Sequence, residues 1–393
     1  MIAPEKIIYL DNNATTQLDP AVVEEMLPFL TKYYGNPSSA YGFGAQVREA
    51  IEHARAQVAA LVGAQPNEII FTSGGTEADN TALHAALQID PQRQHVVTTA
   101  VEHSAILRSG DEIIRSGGGA TLVSVDREGH LDPAELEAAI RPETAIVSVM
   151  WANNETGVIF PVEEIAGIAQ RKRVLFHTDA VQAAGKLPIH LTSSGINFAS
   201  FSAHKLHGPK GVGALFVNRR SAFRPLLFGG GQENKRRAGT ENVAAIIGFG
   251  KAAELAAAQM SEEQTRVRQL RDHFENELRA RVPDVSVNGD REQRLANTSS
   301  LSFDGIESEG ALLLLDREGI CCSAGSACKA GSPEASHVLQ AMKLADKSSR
   351  TSLRFSLGRF NTAGEIERAL EIVPRVIAKL RALAPAGSVV AIR

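Results

Sequence analysis

Short β-rich runs alternate with helical runs from residue 38 to about residue 260, and this alternation restricts the fold more than any other feature of the chain. The runs predicted as strands are Glu68–Thr72, His95–Thr99, Thr121–Val125, Thr144–Trp151, Val174–Thr178, Asn197–Ser202 and Val212–Val217. Their nearly continuous apolar character is typical of strands buried on both faces of a parallel-rich sheet. We therefore expect a large α/β domain with helices packed on both sides of the sheet.

Beyond about residue 260 this regular alternation stops. Ser261–Val282 is predicted as an amphipathic helix, because its apolar residues recur at three- and four-residue steps. Further runs are strand-like at 285–288, 299–303 and 353–357 and helical at 308–318 and about 362–383. Because their order is irregular, we expect a smaller α+β domain. The predicted division is a large domain at 15–260 and a small domain at 1–14 and 261–393.

Composition and charge exclude several classes of protein. Hydrophobic residues make up 44% of the 393 residues and charged residues 22%, which is unlike disordered or collagen-like sequences. The net charge of −4 provides no basic field for nucleic acid or an acidic membrane. Three cysteines cannot form a disulfide framework, and the uncharged apolar stretches are shorter than the ~18 residues that cross a bilayer. We expect a cytoplasmic protein with no nucleic-acid or membrane partner.

Polar clusters follow several predicted strands, at the edge where open α/β sheets bind ligands. The run Thr72–Ala78 (TSGGTEA) joins a strand to a helix, so its backbone N–H groups could bind an anion such as phosphate. Asp179 ends another strand, and Gln182 follows three residues later, which would direct a carboxylate and an amide toward one cleft. Taken singly, an ordinary turn or cap explains each of these clusters as well.

A third cluster contains a candidate lysine nucleophile. Lys205 lies at a strand end, with Ser202 and His204 just before it, and could form an imine with a carbonyl group. The spacing alone does not exclude Lys210 as the reactive lysine. A solvated surface charge is the ordinary role of a lysine considered without its context.

A fourth cluster contains a candidate thiol. Cys328 lies among small residues beside Lys329, and this context favours an exposed thiolate. Cys321–Cys322 ends an apolar run, so we expect these two residues in the core. A zinc site made from the cysteines with His204 and His207 lacks the ligand spacings of common structural sites.

Together these residues resemble the cysteine desulfurases, and especially the NifS-type members of the class V aminotransferase group. The markers are YLDNNATT (9–16), GNPSS (35–39), VEHS (101–104), MWANNETG (150–157), SAHK (202–205), RAGTEN (237–242) and GSAC (325–328). The resemblance implies a pyridoxal 5'-phosphate (PLP)-dependent transferase of fold type I with a mainly parallel seven-stranded sheet. It also implies an enzyme that converts L-cysteine to L-alanine.

The resemblance implies a role for each matching residue. Lys205 would hold PLP covalently, Asp179 would pair with its pyridine nitrogen, and His103 would stack on the ring and move protons. Gln182 would bind the phenolic oxygen of the ring, and Cys328 would attack the substrate sulfur. Further binding residues would be Gly75, Thr76, Ser202, Ala203 and His204 for the cofactor, Thr240 for the phosphate in the neighbouring subunit of a homodimer, Asn154 for cofactor and substrate, and Arg354 for the substrate carboxylate.

The persulfide formed on Cys328 would pass its sulfur to an iron–sulfur scaffold or another acceptor protein. The pathway would be nitrogenase-type or general cluster assembly, and Cys328 would contact the metal of the cluster during transfer. The family usually has Ser-Ser-Gly-Ser-Ala-Cys followed by Thr or Ser, whereas this chain has Ser323-Ala-Gly-Ser-Ala-Cys328 followed by Lys329. The alternatives are a selenocysteine lyase, another class V enzyme, or a non-enzymatic sulfur-relay scaffold.

Overall fold

The structure of the protein is a computed structural model that describes residues 7–324, 336–344 and 350–383. The strands in these ranges are β1 (Ile8–Tyr9), β2 (Ile69–Thr72), β3 (His95–Thr99), β4 (Gly119–Val123), β5 (Thr144–Ser148), β6 (Leu175–Asp179), β7 (Phe198–Ser202), β8 (Gly213–Val217), β9 (Val285–Val287), β10 (Thr298–Phe303), β11 (Ile320–Cys321) and β12 (Ser352–Ser356). The helices there are α1 (Pro20–Thr31), α2 (Gly42–Leu61), α3 (Gly75–Ile89), α4 (Ser104–Arg115), α5 (Pro133–Ala139), α6 (Val162–Lys172), α7 (Val243–Glu262), α8 (Arg268–Arg281), α9 (Ser308–Arg317), α10 (His337–Ala341) and α11 (Ala363–Leu383).

Strands β2 to β8 form one sheet in the order β2-β8-β7-β6-β5-β3-β4. The strands from β4 to β7 pair in parallel, whereas β8 runs antiparallel to both β7 and β2. Every residue of β2, β3, β5, β7 and β8 is buried, as expected for strands that helices cover on both faces. The predicted mainly parallel seven-stranded sheet is confirmed.

Two strands differ from the sequence prediction by two residues or more. The strand predicted to begin at Thr121 begins at Gly119, which pairs with His95, whose ring would lie 3.1 Å from a Cβ at this position. The strand predicted to continue to Trp151 ends at Ser148. Beyond it, the Met150 N–H donates to Glu102 Oε1 at 3.0 Å rather than to a neighbouring strand, while the Trp151 N–H still donates to the Asp179 carbonyl of β6 at 2.9 Å.

Helices α5 and α6 begin at sequence features that are typical of helix starts. The Asp132 carboxylate accepts a hydrogen bond from the Ala134 N–H at 2.8 Å, and Pro133 occupies the first turn of α5. Helix α6 begins directly after Pro161, with two glutamates in its first turn. Both starts agree with the sequence, because a side-chain acceptor and early acidic residues satisfy the exposed N–H groups of a helix.

The helix predicted from Ser261 is the second half of a longer helical run. Helices α7 and α8 are joined through a π-helical turn at Glu263–Val267, so the run extends from Val243 to Arg281. Its length and hydropathy would suit a membrane span, but 56% of the apolar window is buried within the protein. Because α7 packs against α1 and α2, we assign the run as a core helix of the fold.

A second sheet contains β9, β10 and β12, in the antiparallel order β12-β10-β9. Helices α8 and α11 pack beside it, and the rings of Phe274 and Phe355 meet edge to face at 5.0 Å. β1 pairs in parallel with β11, with Ile8 opposite Ile320, so the described N-terminal residues join this C-terminal core. β12 places Arg354 in the sheet nearest to the polar clusters.

A left-handed turn at Glu233–Lys235 connects β8 to the segment that carries Thr240. The φ angles are 46° at Glu233, 55° at Asn234 and 65° at Lys235, a conformation that costs a non-glycine residue roughly 1–2 kcal/mol. Buried hydrogen bonds from Arg55 to the Glu233 carboxylate, at 2.6 and 2.9 Å, hold this turn. The turn therefore depends on a buried, bidentate ion pair.

Glu233→Gln is expected to lower the free energy of unfolding by about 3 kcal/mol or more, because it leaves the buried Arg55 charge without its partner. The matched control is Glu52→Gln. Glu52 contacts the same guanidinium from the surface with 57% of its side chain exposed, so its loss should stay below about 1 kcal/mol. Urea unfolding of both variants measures the difference, and equal losses would contradict this account.

Candidate active site

A cavity of about 260 Å³ opens where the parallel strands of the large sheet end. Most of the predicted site residues line it: Gly75, Thr76, His103, Asn154, Asp179, Gln182, Ser202, His204, Lys205 and Arg354. They come from the loops after β2, β3, β5, β6 and β7 and from β12. The structure therefore brings together residues that are up to 279 positions apart in the chain, from Gly75 to Arg354.

Two of the predicted residues that the structure describes do not line this cavity. Ala203 is fully buried behind the wall, where its N–H donates to the Val212 carbonyl at 3.2 Å. Thr240 is exposed and lines a separate cleft with Ser73 and Arg237. Cys328 lies outside the described residues.

Lys205 lies in a short 3₁₀ turn, Ala203–Lys205, that follows β7 directly. Its Nζ atom donates to the backbone carbonyls of Asn13 at 2.6 Å and Ala14 at 2.7 Å. These contacts direct the amine into the cavity. Lys210, which the spacing alone allowed, is exposed and is not among the lining residues.

Asp179 is the last residue of β6 and is 7% exposed. Its Oδ1 atom accepts a hydrogen bond from the Val181 N–H at 2.9 Å. Burial raises the pKa of Asp179, while the nearby His103, the Val181 N–H and Lys205 act in the opposite direction. The side chain can thus present a carboxylate to a cationic ring nitrogen inside the cavity.

His103 caps the N-terminus of α4. Its Nδ1 atom accepts a hydrogen bond from the Ala105 N–H at 3.2 Å. An imidazole nitrogen that accepts a hydrogen bond carries no proton, so we assign the proton of the neutral ring to Nε2. A ring that takes up a second proton must give up this cap contact, which links proton transfer by His103 to the start of the helix.

Hydrogen bonds fix both the side chain and the backbone of Gln182. Its Nε2 atom donates to the Asn13 carbonyl at 2.9 Å, and Lys186 Nζ donates to the Gln182 carbonyl at 3.1 Å. The amide nitrogen has a second N–H, so it can also donate to an oxygen atom in the cavity.

The N-terminus of α3 forms one end of the cavity. A Cβ atom added at Gly75 would lie 2.8 Å from Val181 Cγ2, so a larger residue would displace this wall. His204 contacts Thr15 Oγ1 at 3.1 Å through Nδ1, and burial, then Lys205, lower its pKa to about 4. Backbone N–H groups at a helix start and neutral polar side chains suit a phosphate group.

Arg354 is 1% exposed and fixed at the edge of the cavity. Its guanidinium donates to the Asn154 carbonyl at 2.9 Å and to Asp11 Oδ1 at 2.7 Å. Ser323 Oγ donates to the same Asp11 oxygen at 2.9 Å. Because a guanidinium has five N–H groups, Arg354 retains donors for a carboxylate.

The described residues on both sides of segment 325–335 contact the surroundings of the cavity. On one side, Ser323 pairs with Arg354 through its backbone. On the other, Ser336 Oγ donates to the buried Glu155 carboxylate at 2.5 Å, and His337 Nε2 lies 3.0 Å from the Glu102 carbonyl. The chain thus leaves and re-enters the described structure beside the cavity.

The two described cysteines differ from a reactive thiol. Cys322 packs against the apolar core of the second sheet, and burial raises its pKa. Burial also raises the pKa of Cys321, which lies in β11. Within the described ranges, neither cysteine groups with His204 or His207 as potential metal ligands.

Sequence reasoning missed two acids beneath the cavity, Asp79 and Glu102, which are 1% and 0% exposed. It also missed the carbonyls of Asn13 and Ala14, which lie almost 200 residues before their partner Lys205. Asp79 lies one helical turn after Gly75, so the period of α3 could have indicated it. The partners of Lys205 depend on the tertiary fold and had no local signal.

The comparisons with known proteins agree with this geometry. A model of the Aminotransferase class-V family matches residues 8–369. A protein of Nostoc sp. named cysteine desulfurase is 51% identical over 379 residues, which cover 96% of this chain and 95% of the relative. The chain belongs to the cysteine desulfurases of this family. The cysteine desulfurase NifS of Azotobacter vinelandii is 49% identical and covers 96% of this chain and 94% of its own length.

Solved structures support the same membership. A NifS-like protein superposes on this desulfurase-family chain with a TM-score of 0.90 at 37% identity, and the match covers 95% of this chain and 100% of that chain. The NifS-like protein of Rickettsia africae gives a TM-score of 0.84 at 33% identity, with 95% and 99% covered. The NifS-type resemblance and the expected PLP-dependent fold are confirmed.

The cofactor of this enzyme family is PLP, and the cavity fits it. Lys205 supplies an amine, Asp179 a buried carboxylate, and the N-terminus of α3 a phosphate cradle whose glycine leaves no room for a Cβ. When bound, PLP supplies an electron sink for carbanion character in an amino-acid substrate. The cavity lining thus offers a group for the aldehyde, for the ring nitrogen and for the phosphate of the cofactor.

Proposed function

We propose that the protein transfers the sulfur of L-cysteine to Cys328 and releases L-alanine. The observation that carries this proposal is the joint lining of one cavity by Lys205, Asp179 and Arg354. Together they provide an amine for the cofactor, a counter-ion for its ring and a guanidinium for an amino-acid carboxylate. Membership among the cysteine desulfurases supports cysteine as the amino acid.

For the cofactor, we assign Lys205 as the covalent anchor and Asp179 as the partner of the pyridine nitrogen. His103 would stack on the ring, and Gln182 Nε2 would donate to the phenolic oxygen. The phosphate ligands would be Gly75, Thr76, Ser202, Ala203 and His204. The cavity lining supports these assignments, except for Ala203, whose support is its position between Ser202 and His204 in the chain.

For the substrate, we assign Arg354 as the bidentate partner of the carboxylate. Asn154 would help to bind both substrate and cofactor, because its backbone carbonyl already fixes Arg354 and its side chain lines the cavity. Lys205 Nζ would be the group that takes the proton from the α carbon of the substrate. His103 is another group in the cavity that can hold a proton.

The sulfur step would be an attack by the Cys328 thiolate on the substrate sulfur. A sulfur–sulfur bond forms, the carbon–sulfur bond breaks, and its electron pair goes to the carbon, which takes up a proton and becomes the methyl group of alanine. The protein sulfur is oxidised to a persulfide and the substrate carbon is reduced, so no further oxidant is needed. The positions of Ser323 and Ser336, the described residues on either side of Cys328 that contact the surroundings of the cavity, support the role of Cys328 as the nucleophile.

We further propose that the persulfide sulfur goes to an iron–sulfur scaffold or another acceptor protein in the cytoplasm. Cys328 would contact the metal of the cluster, as cargo, during transfer. The name NifS of the Azotobacter vinelandii relative is consistent with a nitrogenase-type pathway, and general cluster assembly is the alternative.

We also propose the division into a large domain at 15–260 and a small domain at 1–14 and 261–393. Two apolar clusters support it. One lies around the seven-stranded sheet and includes Phe176 and Phe201, and the other lies around the second sheet and includes Phe274 and Phe355. Cys328 would belong to the small domain.

The experiment that tests the proposed function is incubation of the PLP-loaded protein with L-cysteine and a reducing thiol. We expect sulfide and L-alanine in equal amounts. A selenocysteine lyase would act on L-selenocysteine with little activity on L-cysteine, and an aminotransferase would give a keto acid. A scaffold without activity would give neither product, and each of these three results would refute the proposal.

We propose a homodimer in which Thr240 of each subunit binds the cofactor phosphate of the other. Thr240 is exposed and lies outside the cavity of its own chain, as this role requires. Its segment is fixed by an ion pair of 2.8 Å between Arg237 and Glu77, which follows the cavity residue Thr76. Leu227 and Phe228, just before this segment, are 40% and 81% exposed, so the proposed dimer would cover two adjacent apolar side chains if it buries this segment.

Thr240→Ala is expected to weaken PLP binding about tenfold, because a hydrogen bond to a charged phosphate is lost. Light scattering should give twice the mass of one chain.

Mixed dimers of one Thr240→Ala subunit and one Lys205→Ala subunit show whether Thr240 serves its own subunit or its partner. If Thr240 acts across the interface, each mixed dimer has one intact site, which binds PLP covalently with wild-type affinity. Mixed dimers without such a site would contradict the shared site.

A further inference from the structure

We propose that Asp79 is a positioning residue that stays a neutral carboxylic acid and leaves Asp179 as the single negative charge on the cavity floor. This role rests on the proposed function, in which Asp179 faces the pyridine nitrogen of PLP. The resemblance to the cysteine desulfurases implies no role for Asp79. Its position in the cavity wall is what indicates a role.

Asp79 is buried without a donor for one of its oxygens. It lies in α3, is 1% exposed and lines the cavity. In the described part of the chain, no hydrogen-bond donor reaches its Oδ1 atom. A buried carboxylate that is not fully hydrogen-bonded or paired with a cation is strongly disfavoured and takes up a proton instead.

Asp79 also lies close to the acid that serves the cofactor. One side-chain nitrogen or oxygen atom from each of Asp79, His103 and Asp179 lies within 4.8 Å of the others. Two carboxyl groups this close in a buried site do not both ionise, because their charges repel with little solvent between them. The pair therefore holds one proton at neutral pH.

The surroundings decide which acid keeps that proton. Asp179 accepts the Val181 N–H at 2.9 Å and lies near Lys205, and both favour its charged form; a protonated His103 would favour it further. For Asp79, burial raises the pKa well above the usual value and the Asp179 carboxylate raises it further, whereas a hydrogen bond with the Ser200 side chain acts in the opposite direction. The proton is therefore assigned to Asp79.

The other titratable groups around Asp79 do not cancel the rise in its pKa. His177 Nε2 lies 3.5 Å from Asp79 Oδ1, but burial lowers the pKa of His177 to about 3. Its ring nitrogens contact the hydroxyls of Ser148 and Ser200 at 2.8 and 2.9 Å. Burial raises the pKa of Glu102 to about 8, which favours its neutral form at pH 7.

The charge state of Asp79 determines whether Asp179 can pair with the ring nitrogen of the cofactor. A neutral Asp79 cannot share the pairing role with Asp179, and an ionised Asp79 would move the proton onto Asp179 and remove the counter-ion of the ring nitrogen. The carboxyl of Asp79 thus acts through Asp179, without contact to the reacting atoms.

Infrared spectroscopy of the full-length protein, with and without PLP, tests this assignment. Labelling of the aspartate carboxyl carbons with ¹³C separates the aspartate C=O band from that of Glu102. We expect the band of a protonated aspartic acid at pH 7, lost in Asp79→Asn. In Asp179→Asn the band should remain, because Asp79 still carries its proton. The pH at which half of the band is lost, the titration midpoint, should fall by about one unit or more, because the neighbouring charge is gone.

Two results would overturn the proposal. A wild-type spectrum without a protonated aspartate band at pH 7 would show that Asp79 is ionised. An unchanged midpoint in Asp179→Asn would show that Asp79 does not act through Asp179. Neither result depends on turnover of L-cysteine, and the wild-type titration needs no variant to fold, so failure of the proposed activity remains a separate outcome.

Discussion

Lys205→Ala is expected to abolish the covalent linkage between protein and cofactor and to lower activity by more than about a thousandfold. Lys205 Nζ is the amine that two backbone carbonyls direct into the cavity, at 2.6 and 2.7 Å. Without it, the visible absorbance of the linked cofactor should disappear, although the phosphate cradle would still bind PLP. Absorbance spectroscopy and the rate of alanine formation measure the two effects.

Lys210→Ala is the matched control, because Lys210 lies five residues later but is exposed. It should keep both the absorbance and the activity. Borohydride reduction followed by peptide mapping identifies the linked lysine directly. Cofactor found on Lys210 while Lys205 stays unmodified would refute the assignment of the anchor.

Cys328→Ser is expected to separate cofactor chemistry from sulfur transfer. The variant should bind PLP and respond spectrally to L-cysteine, because the cavity residues are unchanged. It should release almost no alanine, since a hydroxyl replaces the thiolate that attacks the substrate sulfur. The loss should be large, about a thousandfold or more, because the nucleophile itself is removed.

Cys321→Ala and Cys322→Ala are the controls for this prediction. Burial raises the pKa of both thiols, so neither forms a thiolate readily at neutral pH. Turnover in both variants should stay near that of the wild type. Normal turnover in Cys328→Ser, or its loss in Cys321→Ala, would assign the sulfur chemistry to another group.

The large sheet could be predicted from the sequence because buried parallel strands have a strong local signal. Runs such as His95–Thr99 and Phe198–Ser202 contain no Asp, Glu, Lys or Arg, and both lie fully buried in the structure. The length of the helical run from Val243 to Arg281 was missed, because α7 packs its apolar surface against α1 and α2 and shows little amphipathic pattern. Its signal depends on tertiary packing.

The candidate site was predictable where a residue follows a strand in a recognisable motif. Asp179, Ser202 and Lys205 end or follow buried strands, and the sheet brings them to one edge. Glu102 lies in the VEHS motif after β3, but neither it nor Asp79 received a role, because their importance comes from burial beside another acid. The hydrogen bond between Arg354 and Asp11 likewise joins positions 343 residues apart, which no local pattern encodes.

The central claim is that the cavity moves sulfur from L-cysteine to Cys328. A single-turnover reaction with one equivalent of L-cysteine and no acceptor, followed by peptide mass spectrometry, tests it most directly. We predict that the peptide with Cys328 gains one sulfur atom and that one L-alanine forms for each modified chain. Alanine formed without sulfur on Cys328, or sulfur found on Cys321 or Cys322 instead, would contradict the claim.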